Sequence, residues 1–334
     1  STTAMVAEPR WYQNVKAVKL QRQAAPAQLE FVKHLKKIQQ DHDFKIIYEV
    51  DDVVFREEIP DYNKFKFAFD TEEVRKTVVD IMDLCDEVTL TCDFMRKLFQ
   101  SKLTNQKVTV IPNFVPYNWM GYLFNRSRIQ SAFEKFKRKP RILYTGSGAH
   151  YDVANKTGGK DDMSAVNHII RKTVDKYQWI FVGAYPPPLQ DLVKSGKIEF
   201  YRWKSLLEYP QFITNLDPQL MVAPLTVNNF NNSKSDIKFI EACTMGIPCL
   251  CQDMHTYSTA PDDLKFSTPE EFEEKIDWIL NWKNRKRYFN NIGMLREIGV
   301  KRFLENPENI GAHMEALTTP YGSPDRKYLK KWNP

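Results

Sequence analysis

The stretch from Asn231 to Leu250, NNSKSDIKFIEACTMGIPCL, concentrates residues able to hold an anion. Lys234, Ser235 and Lys238 crowd the start of a predicted helix, and Glu241 follows further in. With Ser235 as the cap, the pattern predicts a helix from Asp236 to Met245, stopped by Gly246. Lys234, Lys238 and Glu241, spaced four and three residues apart, then share one face, while Ile237, Ile240 and Thr244 turn toward a sheet. A helix start offers unpaired N–H groups and the positive end of the helix dipole. Two ammonium groups and a hydroxyl there would grip a diphosphate. A carboxylate one turn deeper would accept hydrogen bonds from ribose hydroxyls. A solvated charged face would use the same residue types.

Three further stretches carry candidate chemistry. In TGSGAHYD, Gly146, Ser147 and Gly148 permit close backbone approach to a phosphate, and His150 could touch phosphate or sugar. As a dinucleotide fingerprint it fails, because the third glycine is absent. YEVDD sets Glu49, Asp51 and Asp52 at the carboxyl end of a predicted strand, where carboxylates can orient sugar hydroxyls or accept an acceptor's proton. A metal-binding Asp-x-Asp and a simple turn cap compete for the same residues. Arg22, at the end of an earlier strand, is expected on that same acceptor side. YRWK ends another strand with Trp203, a stacking platform for a base or a core residue.

Alternating strands and helices must position these groups. The first series runs through AQLEFVKHLKKI (helix behind Pro26), FKIIYEV (strand), a helix opened by Asp70 with Glu73, EVTLT (strand), DFMRKLFQ (helix) and KVTVI (strand). It begins abruptly at VKAVKLQRQ, so one further βα unit is expected upstream. The second series holds the strands RILYT, QWIFV, KIEFY, PQLMVA and IPCLC, with a helix near Met163–Tyr177 and another capped by Thr268 ahead of Pro269 and Glu271. Such alternation implies parallel sheets with right-handed crossovers, and ligands at the carboxyl ends of the strands. The expected organisation is a Rossmann-like domain over 1–125, a basic linker over 126–140, a second Rossmann-like domain over 141–284, and helices and tail over 285–334 that pack back toward the first domain.

SKSDIKFIEACTMGIPCL resembles the signature of retaining GT-B glycosyltransferases of the family-4 type. Their pattern is a glutamate, seven residues, a second glutamate, small residues and Gly-x-Pro. Glu241, Ala242 and GIP match its second half, and Ser233 stands where the first glutamate would fall. At that position the sequence has no carboxylate to meet the transferred sugar. The variant NNFNNSKSDIKFIE resembles a subgroup frequent among bacteriophage glycosyltransferases, and IIYEVDD, VTVIPNFV and ILYTGS extend the likeness along the chain. The resemblance implies an α/β GT-B fold, two Rossmann-like domains with parallel sheets facing across a cleft. It implies a donor held through Gly146, Ser147, His150, Trp203, Lys234, Ser235, Lys238 and Glu241. Transfer from a UDP-linked sugar with retention follows, with Asp51, Asp52 and Lys238 nearest the chemistry and no metal or other cofactor.

Composition bounds the rest. The 334 residues are 42% hydrophobic, enough for two ordinary domains. No apolar run is long enough to span a bilayer, and the five scattered cysteines suit free thiols in a reducing cytoplasm, the host's for a phage gene. The formal charge of +6 suits a polyanionic partner. Basic clusters lie at Arg126–Arg141, Lys283–Arg287 and Arg326–Lys331. Together with the phage-like signature they point to DNA carrying a hydroxymethylated pyrimidine as the acceptor. The rivals are transfer to polysaccharide, lipid-linked sugar or protein, and a non-catalytic protein that binds nucleotide sugar or DNA.

Overall fold

The computed structural model describes residues 8–22, 24–122 and 138–332. Two all-parallel sheets carry the architecture. In the first lobe the chain runs β1 (Ala17–Gln21), α1 (Pro26–Ile38), β2 (Lys45–Glu49), α2 (Glu72–Leu84), β3 (Glu87–Leu90), α3 (Asp93–Lys102) and β4 (Val108–Val110). The strands lie side by side in chain order, so their carboxyl ends form one edge. The second lobe contains β5 (Arg141–Gly146), α4 (Asn167–Thr173), β6 (Gln178–Gly183), α5 (Gln190–Lys194), β7 (Ile198–Tyr201), α6 (Tyr209–Leu216) and β8 (Leu220–Ala223). It continues through α7 (Asn229–Asn232), α8 (Ile237–Met245), β9 (Cys249–Gln252), β10 (Lys265–Phe266) and α9 (Pro269–Ile279). Its strand order, β10-β9-β8-β5-β6-β7, reverses direction between β5 and β8. A crevice opens at such a switch point, outside the carboxyl ends of the strands. The chain closes with α10 (Arg285–Lys301) and α11 (Pro307–Thr318).

Local chemistry explains most of these elements. Val32, Leu35 and Ile38 form the buried stripe of α1, and Pro26 takes its first turn, where the missing N–H costs nothing. Thr268 accepts from the Glu271 amide to start α9. Helix α2 departs from expectation: Thr71 accepts from the Val74 amide, whereas Asp70 pairs with Arg56 at 2.7 Å. The helix expected near Met163–Tyr177 contracts to α4, because Asp161 binds the Met163 amide and shapes a turn ahead of it. Sequence reasoning missed α6 although Tyr209, Ile213 and Leu216 give it a buried face behind Pro210.

The lobes interlock through side chains. Phe230, on α7, is buried in the core of the first lobe with Phe55 and Phe99. Tyr62 of the first lobe donates to Asp162 of the second at 2.7 Å. Beyond α10, Val115 bridges to Phe303, and Arg302 holds the Asn113 carbonyl at 2.7 Å. Arg326, expected in a surface basic cluster, is buried instead against Glu87 at 2.8 Å, with Lys45 on the same carboxylate. A fully buried carboxylate needs such cationic partners. No helix among the described residues is long and apolar enough to cross a membrane.

Candidate functional site

A cavity of ≈ 380 Å³ lies at the switch point of the second sheet. It is walled by Gly146, Ser147 and His150 after β5, Trp203 after β7, Tyr209 of α6, and Lys238 and Glu241 of α8. Six expected donor residues therefore meet in one place. The Lys238 ammonium lies 4.5 Å from the centre of the Tyr144 ring and donates to its hydroxyl at 3.2 Å. Burial first, and the neighbouring charge of Lys234 second, bring its pKa down to about 8. Glu241 accepts from the Tyr209 hydroxyl at 3.3 Å, and burial lifts its carboxyl to about 7. Sequence reasoning missed Tyr144 and Tyr209, which hold these two charged groups.

His150 is built into a network. Its Nδ1 lies 2.7 Å from an Asp162 carboxylate oxygen that is buried outright. Burial, then the charges of Lys238 and Lys234, push the imidazole down to about 3. Burial raises Asp162, but the bond to His150 and the charge of Lys234 outweigh it and hold it at about 2. The ring is therefore neutral above that range, with Nδ1–H donating to Asp162 and Nε2 left as an acceptor. Tyr62, Asn231 and the Thr226 amide donate to the other Asp162 oxygen at 2.7, 2.6 and 3.0 Å. The histidine is thus oriented by residues from both lobes.

Trp203 is 53% exposed at the cavity rim and is not a core residue. Its indole lies over Gly183, where an added Cβ would meet the ring at 2.6 Å. With φ +100 as well, that position requires glycine. Gly146 has a different reason: a Cβ there would strike the Tyr144 side chain at 2.5 Å.

Two expectations fail at the front of α8. Ser235 does not cap it; its hydroxyl accepts from the Asn113 side chain at 2.8 Å. Asp236 occupies the cap position, yet its carboxylate makes no cap bond and is held by Arg302 at 2.8 Å through both nitrogens. The first N–H groups of the helix, which lack intrahelical acceptors, are therefore not capped by this carboxylate. Lys234 stands apart from the Lys238–Glu241 face, after the separate turn of α7, with its ammonium 4.9 Å from the Phe230 ring centre. Ser233 is fully buried, and its hydroxyl donates to the Asn229 carbonyl at 2.8 Å. It therefore offers no contact to a sugar in the cleft.

No protein-family model matches the chain, and no curated protein does. Solved structures do. Anabaena HepE in complex with UDP superposes with a TM-score of 0.61 over 92% of this chain and 81% of its own, at 12% identity. The fold is GT-B. The E. coli trehalose-6-phosphate protein bound with UDP-2-fluoro glucose aligns at TM-score 0.57 and 11% identity, over 93% of this chain and 74% of that one. Sucrose-phosphate synthase from Thermosynechococcus elongatus gives 0.54 and 14%, over 90% and 72%.

On the facing side of this GT-B cleft, the other expected residues gather at the carboxyl edge of the first sheet. Arg22, with a left-handed φ of 49, pairs with Asp51 at 2.9 Å and Asp52 at 3.2 Å. Glu49 pairs with Lys19 at 2.6 Å. Burial raises Asp52, opposed by Lys234 and Arg22. The carboxylates are thus engaged by cations of the protein itself, and among the described residues no three His, Cys, Asp or Glu side chains converge as metal ligands.

Proposed function

We infer that this chain moves a sugar from a nucleoside diphosphate, UDP-linked as in the complexes of its structural neighbours, to a hydroxyl acceptor with retention. One observation carries this reading: Lys238, Glu241, His150 and Trp203 converge on one cavity at the switch point of a GT-B fold. The diphosphate meets Lys238 and the start of α8. Ribose hydroxyls donate to Glu241, the base lies against Trp203, and Nε2 of His150 accepts from the sugar. In the reaction the bond from the anomeric carbon to the diphosphate oxygen breaks. The acceptor oxygen bonds to that carbon on the same face, and the acceptor's proton passes to the departing diphosphate. Negative charge grows on the leaving group, so fixed cations beside it stabilise the transition state. Lys234 and Lys238 supply that charge, and no metal is called on. Asp51 and Asp52 flank the incoming hydroxyl.

For the acceptor, hydroxymethylated phage DNA draws on the net charge and on exposed Lys283, Arg285 and Lys286, while Arg287 of the same cluster is paired with Asp263. Other basic residues are engaged within the protein: Arg138 with Asp217, Arg141 with Glu199 and Arg326 with Glu87. The Arg126–Lys137 part of the linker cluster lies outside the described residues. Nucleic-acid affinity from charge is a count of free cations, and these pairs lower it.

The donor site has a pH signature. Glu241 ionises as pH rises through about 7 and then accepts ribose hydroxyls better. Lys238 loses its proton as pH rises through about 8, and a bound diphosphate favours the protonated form. Affinity for UDP-glucose, which has no terminal phosphate to titrate, is therefore expected to peak between these values and fall about tenfold per unit above them. Uridine, lacking the diphosphate, keeps only the rising limb. Calorimetric titration across pH reads both curves, and an identical high-pH limb for uridine and UDP-glucose would remove Lys238 from the phosphate.

A further inference from the structure

A second cavity, of ≈ 300 Å³, lies between α3, the edge strand β4 and the tail that follows α11. It shares no lining residue with the donor cavity. Its polar groups come from Arg96 of α3, Thr109 of β4, and Tyr321, Ser323, Arg326 and Lys330 of the tail, and no carboxylate lines it. The volume sits at the lower end of the common range for ligand sites, roughly 300–1,000 Å³.

Cations outnumber their partners around this cavity. Arg326 and Lys45 share the single carboxylate of Glu87, which leaves one positive charge over in a buried cluster. Arg96 and Lys97 likewise share Asp93. Among the described residues no carboxylate pairs with Lys330, whose ammonium donates to the Pro324 carbonyl at 3.4 Å. Arg326 is only 6% exposed; its terminal nitrogens hold Glu87, while its Nε has no hydrogen-bond partner. A buried donor left unpaired inside a cluster of net positive charge is costly, and an anion relieves both faults at once.

The hydroxyls narrow the choice of anion. Thr109 accepts from Arg326 at 3.3 Å, and Ser323 accepts from the Asp325 amide at 3.2 Å, so each hydroxyl keeps its own hydrogen to donate. Two hydroxyls, two guanidinium groups and an ammonium supply more donors than the two oxygens of a carboxylate can take. A phosphoryl group, with three strongly accepting oxygens, matches them through charge-assisted bonds. Tyr321 is 41% exposed, with its ring centre 5.5 Å from the Arg326 guanidinium, and forms a wall for whatever the phosphoryl group carries.

We propose that this cavity is a second anion site, for the phosphoryl group common to free phosphate and small phosphate esters, and that its occupation fastens the tail to the first lobe. The test is calorimetric titration of the full chain with inorganic phosphate and with glucose 6-phosphate at fixed ionic strength. At least one is expected to bind, and Arg96→Gln/Lys330→Gln to raise its Kd tenfold or more, with Lys238→Ala leaving it unchanged. Both substituted cations reach solvent and repel their neighbours, so the variant keeps its melting temperature without ligand; Lys330→Gln alone is the milder variant, with a smaller rise of the same sign. Millimolar ligand should raise the melting temperature of the unaltered chain and not that of the double variant. Tighter binding of glucose 6-phosphate by tenfold or more, lost in Tyr321→Ala, identifies an ester, whereas equal affinity identifies free phosphate. Binding that survives Arg96→Gln/Lys330→Gln but not Lys238→Ala would put the anion in the donor cavity and overturn the proposal. An equal loss on neutralising two exposed lysines of α1, Lys33→Gln/Lys37→Gln, would overturn it too, as would binding of neither anion.

Discussion

Replacing Lys238 with alanine is expected to lower turnover of a UDP-sugar by about 10²–10³, the cost of removing one preorganised charge from a developing anion. The ammonium is held in place by the Tyr144 hydroxyl and ring, so a freely moving surface lysine cannot stand in for it. Donor affinity falls too, because a hydrogen bond to a charged group contributes about 1.5–3 kcal/mol. Stability should move the other way. The folded state holds the Lys238 proton more weakly than the unfolded chain, so at neutral pH the charged side chain opposes folding. Its removal leaves the melting temperature unchanged or raises it. Steady-state rates of UDP release, with thermal melting of the same samples, check both halves. A variant that keeps its turnover would remove Lys238 from the diphosphate.

The second large effect is expected at Arg302, far from any contact with donor. Its side chain is 8% exposed and grips Asp236, 11% exposed, through two bonds of 2.8 Å, while also holding the Asn113 carbonyl. Arg302→Ala leaves a buried carboxylate without its partner, a change that costs about 3–5 kcal/mol. For a chain of this length the melting temperature should fall on the order of 5 °C. The freed Asp236 already occupies the cap position of α8 and can turn onto the first amides of that helix. It would then compete with the diphosphate for those N–H groups, so the KM for UDP-glucose rises as well. Replacing both partners, Asp236→Leu with Arg302→Leu, should recover much of the stability and relieve the competition, since no charge is left buried. If the double variant melts as low as the single one, the carboxylate is not the source of the loss.

The parts of this site legible in the sequence are those carried by local pattern. Parallel alternation gave the two sheets, and the glycine stop at Gly246, with φ 63, ends α8 where it was expected. Gly146, Ser147, His150, Trp203, Lys238 and Glu241 come from three separate segments, yet each lies just past a strand end or on a helix that periodicity could locate. What stayed hidden depends on partners distant in the chain. Ser235 reads as a cap, but Asn113 takes its hydroxyl. Asp236 reads as a helix starter, but Arg302, 66 residues on, takes its carboxylate. Arg326 reads as a surface cation, but it neutralises Glu87, 239 residues away. Ser233 reads as the position that would choose the sugar, and the turn of α7 buries it. Asp162 and Tyr62, which orient His150 from opposite lobes, have no local signature at all.

Product formation tests the central claim most directly. The protein is incubated with UDP-glucose, UDP-galactose or UDP-N-acetylglucosamine and either methyl glycosides or a hydroxymethylcytosine duplex. Released UDP, product mass and anomeric configuration are then measured. The expected result is stoichiometric UDP and glycosylated acceptor whose new linkage keeps the α configuration of the donor, with the Lys238→Ala variant nearly silent. Firm binding of UDP-glucose with no UDP released in the presence of any of these acceptors would contradict it and leave a nucleotide-sugar-binding protein in place of the enzyme.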